Sequence, residues 1–156
     1  MRRWLSVCLP LAVLAGCTTV PKADEKTYER IMLPLMTDVQ RAEYYKRPTW
    51  EERKAYLYEA GLMGRLDAAP PAIRRAILDG RVVKGMSMEQ VLMSWGRPVA
   101  RMPVPPSDDP EVARAEGRKE RWLYARVFTT HLNVRYRRAV EFTNGVALFI
   151  RDDVKR

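Results

Sequence analysis

Lys84-Gly85-Met86-Ser87-Met88-Glu89-Gln90-Val91-Leu92-Met93-Ser94-Trp95-Gly96-Arg97-Pro98 is the stretch that decides the fold. Gly85 permits a turn, and Ser87 followed three residues later by Gln90 is a capping box, so a helix starts here. Met88, Val91, Leu92 and Trp95 recur at helical spacing and predict one apolar face. Gly96 offers the C-terminal stop and Pro98 blocks continuation. A short helix with one sticky side must lie on another layer of structure.

The sequence downstream supplies that layer. Val99 to Val104 predicts a strand. Trp122 to Phe128 alternates in the manner of a second, Leu132 to Phe142 of a third and Val146 to Arg151 of a fourth. Asn144-Gly145 between the last two accepts the positive φ angles of a tight hairpin turn. A turn near Arg137-Arg138 is an alternative break in the third strand. Between the first two strands runs a proline-rich and charged loop, long for a compact domain, with a helical turn expected over Glu111 to Glu116.

Upstream the pattern is helical. Tyr28 to Arg47 carries Ile31, Leu35, Val39 and Ala42 at helical spacing, with Pro34 predicting a late start or a kink. Thr49-Trp50-Glu51-Glu52 is a second capping box, and Gly61 or Gly64 is expected to end the helix it opens. Pro70-Pro71 starts a third helix with Ala72, Ile73, Ala76 and Ile77 inward and Arg74, Arg75 and Asp79 outward, stopped by Gly80. Arg81 to Lys84 reads as extended. The fold class is therefore α+β: helices on one face of a small antiparallel sheet of three to four strands, with an extra N-terminal helical region.

The first residues read as an address. Arg2 and Arg3 precede the uncharged run Trp4 to Ala15, the pattern of a secretory leader and too short to span a bilayer. The run ends in Leu14-Ala15-Gly16-Cys17, which resembles the bacterial lipobox. That resemblance implies a diacylglycerol on the Cys17 thiol, cleavage before it and acylation, commonly with palmitate, of the new amine. Two or three acyl chains anchor stably where one does not. Thr18, not an aspartate, follows, which in such lipoproteins favours the outer membrane. The expected organisation is a leader over 1–16, a lipidated tether over 17–26, a helical region over 27–79 and an α+β domain over 80–156.

Loss of 1–16 leaves 140 residues with 26 basic and 19 acidic side chains. Cys8 departs with the leader and Cys17 is acylated, so a hydrophobic core must hold the fold, and the length suffices for one. The positive balance favours anionic headgroups or acidic partners, and the envelope location argues against nucleic acid.

Lys84-Gly85-Met86-Ser87, Val91, Gly96-Arg97-Pro98, then Trp122-Leu123-Tyr124, then Phe142-Thr143-Asn144-Gly145-Val146 resemble, in order and behind a lipobox, the SmpA/OmlA (BamE-like) outer-membrane lipoprotein domain. The resemblance covers about residues 77–151. It implies two helices on one face of a three-stranded antiparallel sheet. It also implies a protein at the periplasmic face of the outer membrane, an accessory of β-barrel assembly or envelope integrity, with assembly components as partners. Residues 24–75 and the 103–120 loop have no counterpart in that pattern.

Catalytic chemistry finds no support in the inventory. His131 is the single histidine. Ser6 leaves with the leader, Ser87 caps a helix, Ser94 is expected on a helix surface and Ser107 in a loop. The pairs Glu51-Glu52, Asp108-Asp109 and Asp152-Asp153 read as solvated. No histidine or cysteine cluster suits a metal, and no phosphate loop is present, so no cofactor is expected. Arg135, Arg137 and Arg138 around Tyr136 are the candidate binding residues: guanidinium groups pair bidentately with phosphate or carboxylate. A solvated strand face is the plainer reading. An anionic-lipid or peptidoglycan contact follows from the first. Trp95, Trp122 and Tyr124 are expected in the core. Tyr44, Tyr45 and Trp50 suit either an interface or packing of the N-terminal helices.

Overall fold

The computed structural model describes residues 23–128 and 134–152. Cys17, the lipobox residues Leu14, Ala15 and Gly16, and His131 lie outside them. The fold is α+β, with seven helices and a four-stranded antiparallel sheet among the described residues.

Helix α1 spans Glu25–Met32 and α2 Asp38–Tyr45, separated by a 3-10 turn over Leu33–Leu35. Pro34 therefore divides the predicted helix in two rather than kinking it. It has no N–H to give and its ring crowds the preceding turn. Thr37 and Gln40 restart the chain with a capping box of 3.2 and 3.0 Å. Helix α3, Trp50–Glu59, opens on the expected box between Thr49 and Glu52. Gly61, at φ +70°, ends it. Gly64 does not: it lies inside a further short helix, α4, Leu62–Asp67, which buries Leu62, Met63 and Leu66. Helix α5, Pro71–Leu78, begins at the proline pair and buries Ala76 and Ile77, while Ala72 is exposed, contrary to expectation.

Helix α6, Met88–Trp95, starts with Ser87 and Gln90 exchanging their capping bonds. Its fully buried residues are Val91, Met93 and Ser94, with Met88, Leu92 and Trp95 partly buried against the core. Ser94 is thus not a surface residue. Its hydroxyl donates to the Arg81 carbonyl at 2.7 Å, and the Trp95 indole N–H donates to the Gly80 carbonyl at 3.1 Å. Arg81 to Lys84 forms no strand: the Arg81 amide donates to the Ala76 carbonyl at 2.8 Å and its carbonyl accepts from Ser94, so the backbone groups at its start are already paired locally and with α6.

Strands β1 (Ala100–Pro103), β2 (Lys119–Phe128), β3 (Val134–Thr143) and β4 (Val146–Asp152) pair in chain order, each antiparallel to the next. Helix α7, Pro110–Glu116, lies between β1 and β2, capped by Asp109. β3 runs unbroken through Arg137-Arg138. Asn144 and Gly145 take φ +50° and +81°, as the hairpin signal requires.

A clamp braces that hairpin. The Arg118 amide donates to Asn144 Oδ1 at 3.0 Å, and the Asn144 amide donates to the Arg118 carbonyl at 2.9 Å. Gly117 precedes them at φ +68°, and a Cβ there meets Asn144 Oδ1 at 2.5 Å. Gly117→Ala is expected to cost about 1–3 kcal/mol, from the left-handed backbone and the displaced amide together. Urea unfolding measures it, and a change within about 0.3 kcal/mol counts against the clamp.

One apolar cluster joins both halves of the chain. Ile31, Met32, Met36, Tyr44, Leu57, Leu62, Met63 and Leu66 from the N-terminal helices share it with Val91 and Met93 of α6 and with Trp122, Tyr124, Val140, Phe142 and Ala147 of the sheet. Arginines bolt it together. Arg30 of α1 donates to the carbonyls of Ser94 (2.8 Å), Ile77 (3.0 Å) and Leu78 (3.0 Å), at the C-terminal ends of α6 and α5. Burial pulls its pKa below the ordinary arginine value. Arg97 donates back to the carbonyls of Pro34 and Met36 at 3.2 and 3.3 Å. Tyr44 is buried and donates to Glu29 at 3.2 Å, and Trp50 stacks on Tyr28 at 5.8 Å. Both pack the N-terminal helices, while Tyr45 remains 54% exposed.

Candidate functional site

The register sorts the sheet into two faces, because paired residues share a side and alternate along each strand. Trp122, Val140 and Ile150 are partners across three strands, as are Glu120, Phe142 and Ala147. This is the helix-covered face. The opposite face carries Ala100, Leu123, Ala139 and Arg151 in one row and Met102, Arg121, Glu141 and Phe149 in the next.

That open face is polar at its margins and apolar at its centre. Leu123 and Ala139 are only 7% and 6% exposed although they stand outside the cluster that the helices cover. Arg121 holds Glu141 through Nε at 2.8 Å and Nη2 at 2.6 Å, a two-handed charge pair bridging β2 and β3. Arg121, Leu123, Ala139, Glu141, Phe149 and Arg151 line a shallow concavity of about 320 Å³. Phe149 and Met102 stand 55% and 50% exposed on this side. Large apolar groups beside guanidinium groups are the composition of a protein-binding surface.

The sequence-predicted arginines divide between the faces. Arg135 pairs with Val127, and Arg135 and Arg137 occupy alternate positions of β3 with Ala139 and Glu141, in the register of the open face. Arg138 pairs with Tyr124, in the register of the covered face, and its guanidinium lies 5.0 Å from the Trp95 ring centroid. The register thus puts the position of Arg138 on the face opposite to the positions of Arg135 and Arg137, because adjacent positions of a strand belong to opposite faces. Arg121 and Arg151 are the members that the sequence reading missed: alternation sorts each strand into two sides, and only the register brings those sides together.

On the covered side, Trp122 and Tyr124 are core residues as expected, 1% and 5% exposed. Trp122 packs on Phe142 at 4.7 Å, donates its indole N–H to Glu120 at 2.6 Å, and carries the Arg101 guanidinium 4.5 Å above its ring. Tyr124 meets Trp95 edge-on at 5.4 Å, and burial raises its phenol pKa. A second basic concavity, about 280 Å³, lies at the sheet end between Arg101, Arg118, Lys119 and Glu120.

Comparison with family models, with curated proteins and with solved structures finds no match.

Charge is unevenly distributed along the chain. Residues 23–80 hold ten basic and ten acidic side chains, and residues 81–156 hold fifteen and nine. Within the four strands the count is eight to three. The excess belongs to the sheet, so its field is directional. Among the described residues no group of three histidine, cysteine or acidic side chains is placed to hold a metal ion, and no helix is long and apolar enough to cross a membrane.

Proposed function

We propose that the chain is a non-catalytic outer-membrane lipoprotein, anchored through Cys17 and facing the periplasm, that acts by binding through its sheet as an accessory of outer-membrane protein assembly or envelope integrity. The observation that carries the binding part is the open sheet face, with Phe149 and Met102 exposed beside the Arg121–Glu141 pair and a strand charge of eight basic against three acidic residues. The Leu-Ala-Gly-Cys motif supports the anchor, and the ordered SmpA/OmlA-like motifs support the envelope role. A second reading, a peptidoglycan- or anionic-lipid-binding envelope module, draws on the same concentration of arginine.

Purification of the lipidated protein from crosslinked cells, with Cys17→Ala as control, tests both readings. Recovery of β-barrel assembly components that depends on Cys17 is the expected result. Recovery of cell-wall fragments or anionic phospholipid alone, weakening steeply as salt rises, favours the second reading. A Cys17→Ala protein that remains acylated and membrane-bound overturns the anchor.

A further inference from the structure

The basic hollow of about 280 Å³ at the sheet end has a braced backbone on its β2 side. Arg118 exchanges amide and carbonyl bonds with Asn144 at 3.0 and 2.9 Å, and the Val104 amide donates to the Lys119 carbonyl at 3.2 Å. Arg101 enters from β1 with its guanidinium stacked 4.5 Å above the Trp122 ring. Stacking occupies the face of that cation and leaves its in-plane N–H groups able to bond elsewhere. Both arginines are therefore held where they stand before any ligand arrives, which lowers the cost of binding one.

The charges of the hollow are not paired with one another. Arg30, Arg65, Arg97 and Arg121 elsewhere each bond a carbonyl or a carboxylate. Arg101 and Arg118 do not: among the described residues neither guanidinium donates a hydrogen bond or meets a carboxylate. Glu120, the carboxylate lining the hollow, turns Oε1 to the indole N–H of Trp122 at 2.6 Å instead. Two cations that share a hollow repel, and an anion placed between them reverses the sign. Arg118 and Glu120 also line a neighbouring hollow of about 380 Å³, together with Met88, Asn144 and Gly145. The two spaces meet at one arginine and one carboxylate.

We propose that Arg101 and Arg118 bind the phosphate of a sugar phosphate monoester, whose sugar occupies the neighbouring hollow. The proposal rests on the reading that the chain acts by binding. The count of oxygens identifies the ligand. Each guanidinium offers a two-pronged fork. A carboxylate presents a single two-oxygen edge and so satisfies one fork. A phosphodiester likewise has two free oxygens, whereas a monoester has three, enough for two forks that share one oxygen. Glu120 keeps its second oxygen as an acceptor. That oxygen repels a bare polyanion and accepts from a hydroxyl, so the phosphate must carry a hydroxylated substituent. Met88 offers the neighbouring space an apolar surface for the C–H face of a sugar ring. A soluble sugar phosphate and the head of a phosphorylated glycolipid present the same group.

The test is calorimetric titration of the purified full chain, in neutral detergent at low salt, with glucose 1-phosphate. Saturable binding is expected, at least about tenfold tighter than that of glucose 1-(methyl phosphate), which lacks the third oxygen. Arg118→Gln and Arg101→Gln are each expected to weaken it at least about tenfold, and Arg118→Lys, which keeps the charge and loses the fork, at least about fivefold. Arg118 is exposed and its bonds to Asn144 are made by its backbone, so Arg118→Gln is expected to keep the wild-type urea midpoint. Lys46→Gln removes the same charge at the end of α2, where the side chain is 68% exposed, and leaves binding unchanged. A glycolipid ending in the same sugar phosphate, mixed into the micelles, separates the two sources. Tighter binding to it assigns the ligand to the membrane and equal or weaker binding to solution, and both support the site. No saturation by about 10 mM glucose 1-phosphate, equal affinity for the diester, or undiminished binding by Arg118→Lys overturns the proposal. Neither Arg101 nor Arg118 lines the concavity of the open face, so failure here and failure of binding through that face are distinguishable.

Discussion

Trp122→Ala is expected to destabilise the fold by about 3–5 kcal/mol, the usual cost of emptying a buried tryptophan site. Trp122 is the largest of the fully buried side chains and sits where the sheet meets the helices. The substitution removes the packing on Phe142, orphans the Glu120 carboxylate oxygen that its indole N–H satisfies, and leaves Arg101 without the ring beneath it. Neighbours close such a hole only partly, so the cavity term adds to the lost transfer energy. A domain of this size has about 5–15 kcal/mol in total, so the variant is expected to be partly unfolded at physiological temperature. Trp122→Phe keeps a ring and loses the indole bond, at about 1–2 kcal/mol. Denaturant unfolding of both variants decides. A loss below about 1 kcal/mol for alanine sinks the claim that this ring centres the core.

The second large effect is at Arg30. Arg30→Met keeps much of the aliphatic stem and removes the guanidinium, leaving the carbonyls of Ser94, Ile77 and Leu78 at two helix ends without their cation. Hydrogen bonds to a charged group are each worth about 1.5–3 kcal/mol, and the favourable field at a helix C-terminus adds a few tenths more. The three share one guanidinium and are partly wetted, so the expected loss is about 2–4 kcal/mol rather than their sum. Lysine keeps the charge but cannot span three acceptors, and Arg30→Lys is expected to recover less than half. The measurement is the unfolding midpoint of the three proteins side by side. Equal midpoints for the Arg30→Met variant and the wild type rule out Arg30 as the bolt between α1, α5 and α6.

Local signals in the sequence carry most of the architecture. The boxes at Thr49 and Ser87, the proline pair before α5 and the Asn144-Gly145 turn act within four residues, and each appears where expected. The box at Thr37 has the same signature and is hidden by the expectation of one long helix through Pro34. Helix α4 is obscured because Gly61 and Gly64 look alike in sequence, whereas only Gly61 takes positive φ. Helix α3 shows no clear apolar face because it fully buries one residue, Leu57.

What escapes a reading of the sequence is long-range. Ser94 looks like a surface serine until the carbonyl of Arg81, thirteen residues away, accepts its hydrogen bond. Arg30 looks like any helix cation until α5 and α6 present their carbonyl ends 47 to 64 residues later. The open face lies between these extremes. Its period-two pattern is legible for Arg135 and Arg137, but Arg121, Phe149 and Arg151 join them only once the register is known.

Because β1 to β4 pair in chain order, every ladder closes between sequence neighbours, and the hairpin at Asn144-Gly145 closes over two residues. Short closures are entropically cheap and form early, whereas a bond such as Arg30 to Ser94 waits for a loop of 64 positions to shut. The meander is therefore expected to nucleate while the N-terminal helices are still searching, with the arginine bolts engaging on the native side of the barrier. Weakening a bolt then shortens the lifetime of the folded molecule and leaves its rate of formation nearly unchanged.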